Sequence, residues 1–145
     1  MSPFRNAMAA AAAAICAASI PAHAAVQCAG LSPGDPSRQE FTVYFDVGSA
    51  QLDEAARAVV QRAARQATAT FRSEICLIGR ASPTGSPQAN QRLAQQRIQA
   101  VANALVQRGV RRETLGSLVQ GAAFGMRQDR AENRADRSVT IVFVR

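Results

Sequence analysis

Residues 78–106, IGRASPTGSPQANQRLAQQRIQAVANALV, constrain the fold of this chain more than any other stretch. A short apolar run ends at Gly79, a turn-rich loop follows, and Gly85-Ser86-Pro87 opens a long amphipathic helix that stops near Gly109, a residue type suited to a helix C-cap. Asn90 and Arg97 lie on that helix beside Leu93, Val101 and Leu105. At about 100° per residue their side chains fall within roughly 20° of each other, so a polar pair borders the core-facing stripe. On spacing alone this is an Arg whose stem packs while its head reaches water. The rest of the sequence supplies a second reading.

Residues 1–24 are expected to be a secretory signal and stand apart from the fold. Arg5 is a minimal basic n-region, residues 7–20 form a weakly apolar h-region, and Ala22-His23-Ala24 is a small-x-small cleavage site. The mature chain is then expected to begin at Ala25. Pro21 and His23 close the apolar run below the roughly 20 residues that a spanning helix needs, and no second apolar stretch of that length follows, so no transmembrane segment is expected in the mature chain. Ile15 before Cys16 and Gln27 before Cys28 stand where a lipid-modified Cys would have a small residue, which argues against lipidation.

What remains is one domain, large enough for a single core. It keeps Cys28 and Cys76, an even count in an oxidising compartment, and both a disulfide and two unrelated thiols fit that pattern. The 17 basic residues are all Arg against 10 acids, giving a formal net charge of +7. Such a balance suits polyanions such as anionic lipid headgroups or acidic wall polymers, and export makes nucleic acid the poorest fit among them. The exclusive use of Arg is as compatible with coding bias as with function.

Residues 25–39 are punctuated by Gly30, Pro33, Gly34 and Pro36 and read as an extended leader rather than a packed element; residues 40–145 form the domain. Within it, residues 41–47 predict a first strand, and Asp53 with Glu54 opens a helix whose stripe is Ala56, Val59, Val60, Ala63 and Ala67. Residues 74–79 predict a second strand and 118–120 a short third one. The stretch 127–137 is charged and turn-like, with room for one helical turn, and 138–144 is the clearest strand. The order β-α-β-α-β-β predicts an α+β two-layer sandwich, a mixed sheet with helices on one face.

Enzymatic chemistry finds little support. With His23 removed and no Lys, a general base near neutrality would have to be a perturbed carboxylate or thiol, and none is paired with a nucleophile. Gly79-Arg80-Ala81-Ser82-Pro83 is not a nucleophile elbow, and the Gly-Lys-Ser/Thr of a phosphate-binding loop is absent. Scattered carboxylates and two distant Cys make no metal site, so neither metal nor cofactor is expected.

From Phe41 onward the chain resembles the OmpA-like C-terminal domain, the peptidoglycan-associating module of outer membrane protein A, the peptidoglycan-associated lipoprotein and flagellar stator protein B. The resemblance is carried by Phe45-Asp46 with Ser49 and Leu52, by Ile78-Gly79 and Gly85 around the loop, and by Asn90, Leu93 and Arg97 on the helix. Gly109-Val110, Gly121 and Asp136-Arg137-Ser138-Val139 continue it, the last standing where the family usually has Asn-Arg-Arg-Val.

In that family the loop normally reads Gly-His-Thr-Asp-x-x-Gly, and its Asp works with the helix Arg to hold diaminopimelate of the wall peptide. A carboxylate takes the ligand's ammonium while a guanidinium takes its carboxylate bidentately. Here the loop reads Gly79-Arg80-Ala81-Ser82-Pro83-Thr84-Gly85, with Ser82 in the place of the acid and Arg80 in the place of His. The resemblance implies ligand-holding roles for Arg97 and Asn90 and puts Arg137 near the same pocket, with Ser82 and Arg80 marking the departure. It implies an exported, non-enzymatic envelope protein in the periplasm of a diderm bacterium, near the outer membrane or wall. Its expected partner is the peptidoglycan stem peptide, bound weakly, or an outer-membrane or periplasmic protein if the cleft serves contacts instead.

Overall fold

The computed structural model describes residues 25–121 and 132–144; the expected signal, its cleavage site and residues 127–131 of the charged stretch lie outside them. Four strands and two helices follow in the order β1 (Gln39–Tyr44), α1 (Glu54–Ala69), β2 (Ile75–Ala81), α2 (Pro87–Val106), β3 (Leu115–Gly121) and β4 (Ser138–Phe143). The sheet runs β1-β4-β2-β3, with β4 antiparallel to both β1 and β2, and β3 parallel to β2. This is the expected α+β sandwich with a mixed sheet.

Local sequence accounts for the helix starts. The Asp53 carboxylate accepts from the Ala56 amide at 2.7 Å, and Glu54 sits in the first turn, where the helix dipole favours an acid. In α2, Ser86 Oγ accepts from the Ala89 amide at 3.3 Å and Pro87 occupies the first turn, where its missing N–H costs no helical bond. α1 then buries a stripe of mostly small residues, Ala56, Val60, Ala63, Ala64 and Ala67, and α2 buries Ala94, Ala102 and Ala104 among the larger Ile98, Val101 and Leu105. Small side chains let both helices lie close to the sheet. At Gly79 the approach is so close that a Cβ would stand 2.8 Å from Ile98 Cδ1, inside contact distance.

The strand boundaries moved where pairing outweighed composition. β1 begins at Gln39 because all six of its residues pair with β4, and the pairing ends at Tyr44 opposite Ser138, short of the expected Val47. β3 spans seven residues rather than three, since it pairs with β2 along its whole length, including Gly116 and Ser117, which carry no apolar signal. Arg134–Arg137 forms a single 3₁₀ turn in the charged stretch.

The leader differs from expectation more sharply. Up to Arg38 it contains no helix or strand, yet it packs: Cys28 and Leu31 are buried against Cys76, Ile78 and Val142 on the sheet face away from the helices. A disulfide joins Cys28 to Cys76, and Gln120 Nε2 donates to the Leu31 carbonyl at 2.6 Å. Gly116 gives the leader room, because a Cβ there would fall 2.6 Å from Cys28 Sγ.

Candidate functional site

Because β1 and β2 both oppose β4, the C-terminal ends of β1 and β2 and the start of β4 meet at one end of the sheet. The loops leaving those ends and the first three turns of α2 enclose a cavity of about 180 Å³, lined by Val47, Gly48, Ser82, Thr84, Asn90, Leu93, Arg97 and Glu132.

Arg97 lies midway along α2. Its head does not reach water as spacing alone implied: the residue is 2 % exposed. Nε donates to the Ser49 carbonyl at 2.8 Å and Nη2 to the Asp46 carbonyl at 3.1 Å, while the guanidinium carbon stands 5.4 Å from the centre of the Phe45 ring. Nη1 donates to nothing among the described residues. Burial pushes the pKa of Arg97 below its ordinary value, the Glu132 carboxylate opposes that shift, and Arg137 adds to it. The group remains a cation at any physiological pH, so the cavity has a positive charge in its wall.

Asn90 is a clamp on the loop. Its amide nitrogen donates to the carbonyls of Ser82 at 3.2 Å and of Thr84, tying the β2–α2 loop to the first turn of the helix. Ser82 is 8 % exposed, and its hydroxyl accepts from the Thr84 amide at 3.2 Å and meets Thr84 Oγ1 at 3.0 Å. That turn is the one an Asp side chain commonly makes, with the charge removed.

Ser82, Asn90 and Arg97 therefore come together, as the sequence reading grouped them. The two other arginines stand elsewhere. Arg137 does not line the cavity; it locks the neighbouring wall, donating from Nε to the Phe45 carbonyl at 3.3 Å while its own carbonyl accepts from the Phe45 amide at 2.8 Å. Arg80 is on β2, where alternation groups it with Cys76 and Ile78 on the leader-covered face. It does not line the cavity, because strand geometry turns it toward the face opposite Arg97.

One residue escaped the sequence reading. Glu132 lines the cavity and faces Arg137 Nη1 at 3.8 Å. It immediately precedes a capping box, in which Asn133 Oδ1 accepts from the Asp136 amide at 3.3 Å and Asp136 Oδ2 accepts from the Asn133 amide at 3.0 Å. An Asn followed three residues later by an acid was the available signal that fixes the turn at 133–136, in a stretch read as charged and turn-like with room for one helical turn.

The comparisons with known proteins agree with this fold. The profile of the OmpA family matches residues 44–139. Among solved structures, the OmpA-like domain of FopA1 from Francisella tularensis subsp. tularensis SCHU S4 superposes with a TM-score of 0.61 at 19% identity, covering 71% of this chain and 70% of that one. The peptidoglycan-associated lipoprotein from Burkholderia pseudomallei gives 0.60 at 26% identity, over 70% of this chain and 88% of that one. The periplasmic domain of Helicobacter pylori MotB gives 0.55 at 19% identity, over 73% and 74% respectively. No curated protein matches the chain in sequence.

Proposed function

As this chain belongs to the OmpA family, we propose that it is a non-enzymatic module of the bacterial envelope that associates weakly with the peptidoglycan stem peptide through the cavity around Arg97. The observation that carries this reading is a buried guanidinium with one nitrogen left over, set in the wall of a cavity it shares with Asn90 and Ser82. Arg97 is pre-positioned by two backbone carbonyls, so little conformational freedom would be lost when Nη1 takes a ligand carboxylate. Asn90 holds the loop in shape, and Arg137 holds the adjoining wall.

Affinity is expected to be low because Ser82 replaces the loop acid. Losing one partner of a desolvated charge pair costs about 2–5 kcal/mol. The proposed location is the periplasm, in keeping with relatives described as a peptidoglycan-associated lipoprotein and a periplasmic domain. Among the described residues no helix is long and apolar enough to cross a membrane.

A second reading is favoured by the same hydrogen bonds. Asn90 and Arg97 are engaged chiefly with loop backbone, which is what a domain kept for protein contacts would also require. Pulldown on purified sacculi, with and without competing diaminopimelate, separates the two. Retention that diaminopimelate competes away is the expected result. No retention would favour the interaction module, and retention erased by salt alone would reduce the effect to cationic attraction. Arg97→Lys is the informative variant, keeping the charge while losing the planar fork, with a melting curve as control. Arg97→Ala would leave two buried carbonyls without donors, costing about 1–3 kcal/mol of stability and confusing the result.

A further inference from the structure

We propose that Glu132 is the ammonium-accepting group of this cavity, so that a zwitterionic amino-acid end bridges Glu132 and Arg97; this rests on the stem-peptide reading above. The cavity wall holds one cation and one anion. Each has capacity to spare. Among the described residues Nη1 of Arg97 has no partner, and the Glu132 carboxylate accepts no hydrogen bond and forms one ion pair, the 3.8 Å approach of Arg137. Two opposite charges that do not pair with each other across a small cavity are complementary to a ligand carrying both signs on neighbouring atoms.

Size fits the same class. A cavity of about 180 Å³ is the share of about six waters and falls below the range for whole drug-sized ligands. It suits the charged end of a side chain, with the remaining peptide lying outside. Placement is fixed rather than incidental: the capping box orders the chain directly after Glu132, and Arg137, itself tied to Phe45, steadies the carboxylate without enclosing it. The side chain of Glu132 is 24% exposed, so an ammonium reaches it without the full cost of burying a charge. The acid missing from the β2–α2 loop is thus replaced from the opposite wall, by the turn that precedes β4.

Titration calorimetry on the exported full chain tests this with two probes: a stem peptide ending in diaminopimelate, and the same peptide with the side-chain amine acetylated. The wild type is expected to prefer the free amine by about tenfold, one charge-assisted contact's worth. Glu132→Gln should remove that preference while leaving the acetylated peptide bound within about twofold, and Glu132→Asp should keep part of it. A wild type without preference, or a Glu132→Gln variant that weakens both probes equally, overturns the assignment. If the wild type binds the free amine and Arg97→Lys abolishes binding while Glu132→Gln does not, the stem-peptide reading stands and this inference alone falls. If the wild type binds neither probe, both fall together.

Discussion

On the helix-packed face of the sheet, α1 and α2 bury a continuous apolar set that includes Val43, Ile75, Leu77, Val139, Ile141 and Phe143; on the other face a leader without regular structure covers Cys76, Ile78 and Val142 with little more than Cys28 and Leu31. The first face is held by area, spread over many side chains. The second has too few contacts to hold a 14-residue segment against its own entropy, and a covalent bond does what packing cannot. The cavity belongs entirely to the first face: none of its lining residues comes from the leader. Stability can therefore be lost on one face without touching the site, and on the other it cannot.

The largest expected effect breaks the helix-packed face. Leu77 is almost fully buried beneath both helices, and Leu77→Ala should cost about 2–5 kcal/mol in urea unfolding, with ligand binding lost in parallel as the loops lose their support. Removing the clip comes next. Replacing Cys28 and Cys76 by Ser opens a link across 48 positions, about 4 kcal/mol in the chain-entropy account, yet sacculus binding should stay unchanged below the melting transition. Thiol titration of the exported protein under denaturing conditions should find no free thiol among these two; finding both free would dissolve the contrast between the faces.

Ser82→Asp sharpens the comparison from the site. The new carboxylate would keep the turn to Thr84 and add an acid to the cavity, with Arg97 favouring its ionised form. A gain in wall-peptide affinity of about 1–3 kcal/mol by calorimetry is expected, with little change in unfolding midpoint. Arg80 lies on the other face, so no companion change is needed there. The smallest effect concerns the leader. Asp35 has its pKa lowered by the side-chain and backbone hydrogen bonds from Ser37, so this turn is favoured above the ordinary carboxylate value and lost as pH falls through the lowered one. An NMR titration should show the Ser37 amide shifting below about pH 4 while cavity residues stay still.

Most of the fold was legible because its signals were local: the acid-opened α1, the Ser86-Pro87 start of α2, and the β-branched run of β4. What escaped depended on distant partners. Gly116 and Ser117 are strand only because β2 lies alongside, and the leader is packed only because Cys28 finds Cys76. Arg97 showed the same limit. Its position beside Asn90 followed from helical spacing, but its burial came from Asp46 and Ser49, some fifty positions away, which no periodicity encodes. Glu132 enters the cavity from the segment leading into β4, ahead of a turn whose capping pattern was readable although its destination was not.

The bridge between the leader and β2 also decides how this domain would bear a pull. Without it, tension on the chain upstream of Cys28 would arrive at β1, an edge strand, and peel it from β4 one pair at a time. With it, the load passes from Cys28 directly into Cys76, in a strand flanked on both sides by β4 and β3. Everything between the two cysteines, β1 and α1 included, lies outside the line of force. A module pulled between its leader and a rigid wall would then be strained in shear through its central strands, while the first half of its fold hangs slack.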